Sequence, residues 1–131
     1  VISIIIGIGI DIVEIKRIEN AMKKNPRFIN RILTDNEIQA LKESNMKPES
    51  VAGFFAAKEA VVKAIGTGFR DIQWQDIEIY KDSLGKPMVH FHNNASKLAY
   101  SKNIDNILIS ISHSRENAVA QAIALGFNNK Q

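Results

Sequence analysis

At 131 residues, 45% of them hydrophobic, the chain can bury one core, yet it is short enough that subunit pairing would help to cover its apolar surface. It has no cysteine, which excludes a disulfide framework, Cys-ligated zinc or iron–sulfur sites and thiol catalysis. Seventeen Lys and Arg against 14 Asp and Glu leave a net charge of +3, well short of the excess of a dedicated nucleic-acid binder.

The most apolar run, residues 1–13, lacks the basic start and small-residue cleavage site of a signal peptide and the ~20 apolar residues of a membrane span. Asp11 and Glu14 interrupt it, and Ile2, Ile4, Ile6, Ile8 and Ile10 predict a largely buried strand. A soluble, cytoplasmic protein with no membrane partner is the expectation. Ile15, Ile18 and Met22 follow at helical spacing and predict an amphipathic helix ending near Asn25-Pro26. Thr34-Asp35-Asn36-Glu37 has the form of a capping box and starts a second helix that reaches about Glu43. A third begins after Pro48-Glu49-Ser50 and runs through Val51, Phe54, Phe55, Val62 and Ile65 with one apolar stripe inward, stopped by Gly66 or Gly68.

The period then changes. Residues 76–80 alternate, 82–87 are turn chemistry and 88–91 resume extended structure, which together read as a hairpin. A short helix over 94–102 precedes strands at 107–112 and 118–125, joined by the turn His113-Ser114-Arg115-Glu116-Asn117. No internal repeat or linker divides the chain, so residues 1–131 read as a single small α+β domain of helices packed on a mostly antiparallel sheet.

Several short segments invite a chemical reading. Gly7-Ile8-Gly9-Ile10-Asp11 is not a dinucleotide loop, because Ile12 stands where the third glycine is required, and the Lys-Ser/Thr pair of a P-loop is absent. What remains is an acid where a strand runs into a helix: Asp11-Ile12-Val13-Glu14 reads as an acidic capping box, with a metal ligand as the alternative. Glu59 and Lys63 share a helix face, with the small residues Ala52, Ala56 and Gly66 leaving room beside it. The plain reading is an exposed pair worth ~0.3–0.5 kcal/mol. A carboxylate beside an ammonium also suits a magnesium–phosphate substrate. Gly66-Thr67-Gly68 is a helix stop, Gly85-Lys86-Pro87 a hairpin turn, and His113 beside Ser114 is weak evidence for a hydrolase triad.

In combination the segments become specific. Gly9-Ile10-Asp11-Ile12-Val13-Glu14-Ile15 with Arg17, then Phe55-Ala56-Ala57-Lys58-Glu59-Ala60 with Lys63 and Gly66-Thr67-Gly68, then Asp76-Ile77-Glu78, Gly85-Lys86-Pro87 and Ser110-Ile111-Ser112-His113-Ser114 resemble, in order and spacing, the holo-acyl-carrier-protein synthase family. The resemblance implies the 4′-phosphopantetheinyl transferase fold, a homotrimer with active sites between subunits, and a role in fatty acid biosynthesis. The implied reaction is Mg²⁺-dependent transfer of the 4′-phosphopantetheine of coenzyme A to a serine of apo-acyl carrier protein, releasing adenosine 3′,5′-bisphosphate. It further implies that Asp11 and Glu59 hold Mg²⁺ and that Lys63 neutralises the pyrophosphate. Glu59, directly or through a metal-bound water, is then the candidate base. Gly66, Lys86, Pro87, His113 and Ser114 would surround the nucleotide. One departure is Phe54, where many members carry Arg or Lys near the nucleotide.

Charge is also unevenly spread. Lys16, Arg17, Lys23, Lys24, Arg27 and Arg31 face Glu19 alone within residues 15–31, while the rest of the chain carries 11 basic and 13 acidic residues. Beside the resemblance this segment reads as the docking face for the acidic carrier protein, through Arg17 first and Lys16, Lys24, Arg27 and Arg31 with it. Two other classes fit the same residues: a noncatalytic module that docks a partner through its basic helix, and another magnesium-dependent enzyme acting on nucleotides.

Overall fold

Alanine and glycine decide how closely the central helix of this molecule approaches its sheet. A computed structural model describes residues 2–128. The elements run β1 (Ser3–Glu14), α1 (Ile15–Lys24), α2 (Phe28–Ile32), α3 (Asp35–Lys42), α4 (Pro48–Ile65), a 3-10 turn (Trp74–Asp76), β2 (Ile77–Lys81), β3 (Pro87–Phe91), α5 (Asn93–Ser101), β4 (Ile104–His113) and β5 (Asn117–Phe127). The strands form a three-stranded sheet in the order β1-β5-β4 and a separate β2-β3 hairpin. All pairings among the described residues are antiparallel, as the α+β reading anticipated.

α4 starts with Pro48 in its first turn and ends where Gly66 takes a φ of 95°. It is buried on nearly every side instead of along one stripe, so it is the centre of the core. β5 turns Ala118, Ala120, Ala122 and Ala124 inward, all 0–1% exposed. On β1 a Cβ at Gly9 would lie 2.0 Å from the Ala60 carbonyl oxygen, and one at Gly7 would lie 2.1 Å from that of Ala64. The two glycines that fail as a phosphate loop are therefore the contact points at which β1 lies against α4. The room expected beside Ala52 and Ala56 is likewise filled, since both are fully buried by the protein's own core.

β1 corrects a second expectation. The register slips between Ile5 and Gly7, and a bulge inverts the alternation there. Gly7, Gly9, Asp11 and Val13 then face α4, while Ile8, Ile10 and Ile12 point away from the core, each more than 60% exposed. The strand is apolar on both faces but buried on only one within the single chain. α2 and the 3-10 turn were not foreseen. α3 begins as predicted, with Thr34 Oγ1 accepting from Glu37 N and Glu37 Oε1 accepting from Thr34 N. The hairpin turn is held by Asp82, whose Oδ1 accepts from the amides of Leu84 and Lys86 at 2.9 Å each.

Candidate active site

Asp11 lies within β1 opposite Ala120, and the strand continues three residues beyond it to Glu14. Glu14 occupies the N-cap position of α1 and makes no side-chain cap, so the capping-box reading of Asp11 is wrong. Its carboxylate instead accepts from Lys63 Nζ at 3.2 Å, and the same ammonium donates to the Ile10 carbonyl at 2.9 Å. Lys63 thus leaves its helical neighbour and crosses from α4 to β1, which replaces the simple exposed pair with Glu59.

Glu59 stands one turn earlier on the same face of α4. Burial pushes its carboxyl above the ordinary range, the charge of Asp11 adds to that, and Lys63 and Arg17 pull the other way. Two carboxylates and two cations from β1, α1 and α4 therefore act on one another across a half-open surface. The donor set fits a hard divalent cation, because such an ion between Asp11 and Glu59 would answer the repulsion that raises Glu59. Among the described residues no group of three or more His, Cys, Asp or Glu could enclose a metal. The rest of the shell would have to come from phosphate oxygens and water, which is the usual habit of Mg²⁺.

The remaining residues sort by position. Gly66 is exposed at the C-terminal end of α4, and Lys86 and Pro87 lie at the turn end of the β2-β3 hairpin. His113 and Ser114 border a depression of about 450 Å³ with Ile15, Glu49 and Arg115. The Ser114 hydroxyl is taken up by its own turn, where it accepts from Asn117 N at 3.2 Å. Glu49 and Gly66 sit at opposite ends of α4, about 25 Å apart at 1.5 Å per residue. One chain does not bring His113 and Ser114 to Gly66. Phe54 is 7% exposed and belongs to the core.

Lys16, Arg17, Lys24, Arg27 and Arg31 are all exposed. Lys16 is engaged with Glu19 at 3.5 Å on the same helix. The Arg17 guanidinium lies 5.9 Å from the centre of the Phe55 ring, which holds the cation near Glu59. Arg27 and Arg31 line a depression of about 530 Å³ with Asn25 and Asn30. Beneath this basic surface Phe28, Phe55, Trp74 and Phe69 stack in series, with ring centres 6.3, 4.9 and 4.1 Å apart.

Sequence reasoning passed over Lys58. Its ammonium is fully buried and donates to Ile32 O and Glu37 Oε1 at 2.7 Å each and to Trp74 O at 3.0 Å. Glu37 also takes the amide of Ile79 on Oε2 at 2.6 Å. A lysine inside a run apolar on all sides was the available signal, since a buried charge demands a partner.

The family model described as the 4′-phosphopantetheinyl transferase superfamily matches residues 7–123. The holo-[acyl-carrier-protein] synthase of Alkaliphilus metalliredigens is 62% identical over 118 residues, which is 90% of this chain and 97% of that protein. The Plasmodium yoelii acyl carrier protein synthase with ADP bound matches with a TM-score of 0.89 at 37% identity, covering 98% of this chain and 100% of that one. The Bacillus anthracis holo-(acyl-carrier-protein) synthase in complex with CoA (3′,5′-ADP) matches with a TM-score of 0.78 at 41% identity, covering 94% and 98%.

Proposed function

The chain belongs to the 4′-phosphopantetheinyl transferase superfamily, and on that footing we propose that it moves the 4′-phosphopantetheine arm of coenzyme A onto a serine of apo-acyl carrier protein. The observation that carries the reading is the group formed by Asp11, Glu59 and Lys63, in which an ammonium and two carboxylates from separate elements converge on one surface.

The acceptor serine oxygen attacks the phosphorus next to the pantetheine and forms a phosphodiester. The bond from that phosphorus to the bridging oxygen breaks, and adenosine 3′,5′-bisphosphate leaves with the electron pair. Glu59 takes the serine proton. Lys63, held by the Ile10 carbonyl, places its positive charge where negative charge gathers on the leaving phosphate. Asp11 and Glu59 would hold Mg²⁺, which when bound supplies positive charge to the pyrophosphate and fixes its orientation.

The positions of the nucleotide residues favour a composite site. His113 and Ser114 of one copy reach a nucleotide held near Gly66, Lys86 and Pro87 only if another copy presents it, and this supports the homotrimer. The row Ile8, Ile10 and Ile12 gives such an assembly an apolar face to bury. Arg17, Lys16, Lys24, Arg27 and Arg31 form the surface for the acidic carrier protein, beside Glu59. No helix among the described residues is long and apolar enough to cross a membrane; a cytoplasmic place and a part in fatty acid biosynthesis belong to the proposal through the family.

The reading is tested by following nucleotide release from coenzyme A in the presence of Mg²⁺. Adenosine 3′,5′-bisphosphate is expected only when apo-carrier protein is added, and not with a carrier whose acceptor serine is changed to alanine. Release without any carrier would mark a nucleotide hydrolase, and no release at all would leave a binding module.

A further inference from the structure

Lys58 is covalently next to Glu59, and its ammonium holds the carbonyl of Ile32, which is covalently next to Arg31. One lysine side chain and its hydrogen bond of 2.7 Å therefore link the backbone that carries a docking arginine to the backbone that carries the proposed base. The other two contacts of Lys58 reach Glu37 on α3 and Trp74 in the aromatic stack. Three segments remote in sequence meet at this one nitrogen.

Stability alone is a poor explanation for the arrangement. Burial works against both charges, pushing the Glu37 carboxyl up and the Lys58 ammonium down, and a buried ion pair is often replaceable by apolar side chains without loss of stability. What an apolar pair would not reproduce is a directed bond to the Ile32 carbonyl. α2 needs such an anchor, since five residues make too short a helix to hold itself.

Resting on the proposed docking role of Arg27 and Arg31, we propose that Lys58 is a positioning residue: through Ile32 it holds α2 and the arginines at a fixed offset from Glu59, so that a carrier protein whose serine reaches the base also keeps its contacts with the arginines, and losing the offset costs carrier affinity and not the chemical step. Lys58 touches no substrate. Its contribution is to the geometry between the docking surface and the reacting group.

The test is a double-mutant cycle between the neutral pair Glu37→Gln/Lys58→Met and Arg31→Glu, with carrier-protein KM, kcat and the coenzyme A Kd measured for each protein. The neutral pair is expected to raise the carrier KM about tenfold while kcat and coenzyme A affinity stay within about twofold. Arg31→Glu, costly in the wild type, should cost much less in that background. If the neutral pair does not fold, Lys58→Arg carries the same test: the larger guanidinium keeps the charge but must push Ile32 away from α4, raising the carrier KM alone by about threefold. Additive effects of Arg31→Glu in the two backgrounds, a wild-type carrier KM in a folded variant, or a parallel fall in coenzyme A affinity would each overturn the proposal. Unchanged carrier KM in both Arg27→Glu and Arg31→Glu would remove the docking reading, and this proposal with it, while leaving the transfer activity standing.

Discussion

Glu59 is a carboxylate that the fold makes reluctant to ionise, and that property separates its chemical role from its structural one. Its folded pKa lies above 4.5 because of burial and the nearby Asp11 charge, so its contribution to stability is present below that value and is lost as pH rises through the folded pKa. At neutral pH the ionised group therefore costs stability. Glu59→Gln should lose at least ~100-fold in kcat, yet melt at or above the wild-type temperature at pH 7, with any gain gone below pH 4.5. Asp11→Asn should lose activity on the same scale while keeping the fold, and wild-type turnover in either variant would refute their assignment. Glu78 shows the opposite sign. Burial pushes it up, but hydrogen bonds from Thr34 at 2.6 Å and His92 at 2.9 Å, with Asn36, outweigh that and bring it below 4.5. Its stabilisation is complete above 4.5 and fades as pH falls through the lower folded value, so Glu78→Gln should flatten the acid limb of urea midpoints measured against pH. At this scale the family resemblance singled out Asp11, Glu59 and Lys63, which the structure gathers on one surface. Their mutual contacts were not legible in the sequence, because Lys63 chooses a partner from a strand more than fifty residues away.

Helix caps and turns belong to a scale at which local chemistry is often sufficient, and there the sequence read well except at Asp11, whose capping-box pattern lies inside a strand. Thr34 with Glu37, Pro48, Gly66 and Asp82 each act on their own backbone neighbourhood, and α3, α4 and the hairpin follow the residues that announce them. β1 was misread because the bulge after Ile5 changes which residues face inward, and no local signal marks it. α2 was missed because five residues show no helical period. The contact of β1 with α4 is the element-scale feature with the widest consequence. In Gly9→Ala the new methyl would meet backbone atoms, the Ala60 oxygen at 2.0 Å and the Ala64 nitrogen at 2.8 Å, so the strand must lift. A loss of about 1–3 kcal/mol in urea unfolding is expected. Because Asp11 is two residues along the same strand, activity should fall further than stability does, although Gly9 touches no substrate. Gly53→Ala is the milder comparison, since the atom nearest its new methyl is Ile111 Cγ2 at 3.0 Å, a side-chain contact and not backbone.

Across the whole molecule, charge and apolar surface are partitioned between two tasks. Of the basic residues of 15–31 Arg17 is the one that acts on Glu59, so on the proposed docking role Arg17→Glu should weaken carrier binding by at least ~10-fold at low salt and by much less at high salt. The exposed face of β1 serves the proposed assembly: Ile10→Glu should shift sedimentation from trimer toward monomer and remove activity with it, because His113 and Ser114 would lose their partner site. A monomeric variant with full turnover would contradict the composite site. The single-chain α+β architecture could be read from periodicity, whereas a second copy was implied by the family resemblance alone, and the placing of His113 and Gly66 at opposite ends of α4 supports that proposal.

The central claim is the transfer itself, and the intact mass of the carrier protein reads it most directly. Incubated with this protein, coenzyme A and Mg²⁺, apo-acyl carrier protein is expected to gain the mass of one phosphopantetheine arm, and to gain nothing with Glu59→Gln over the same interval. An unchanged carrier mass across carriers and conditions, with folded protein present, would contradict the account.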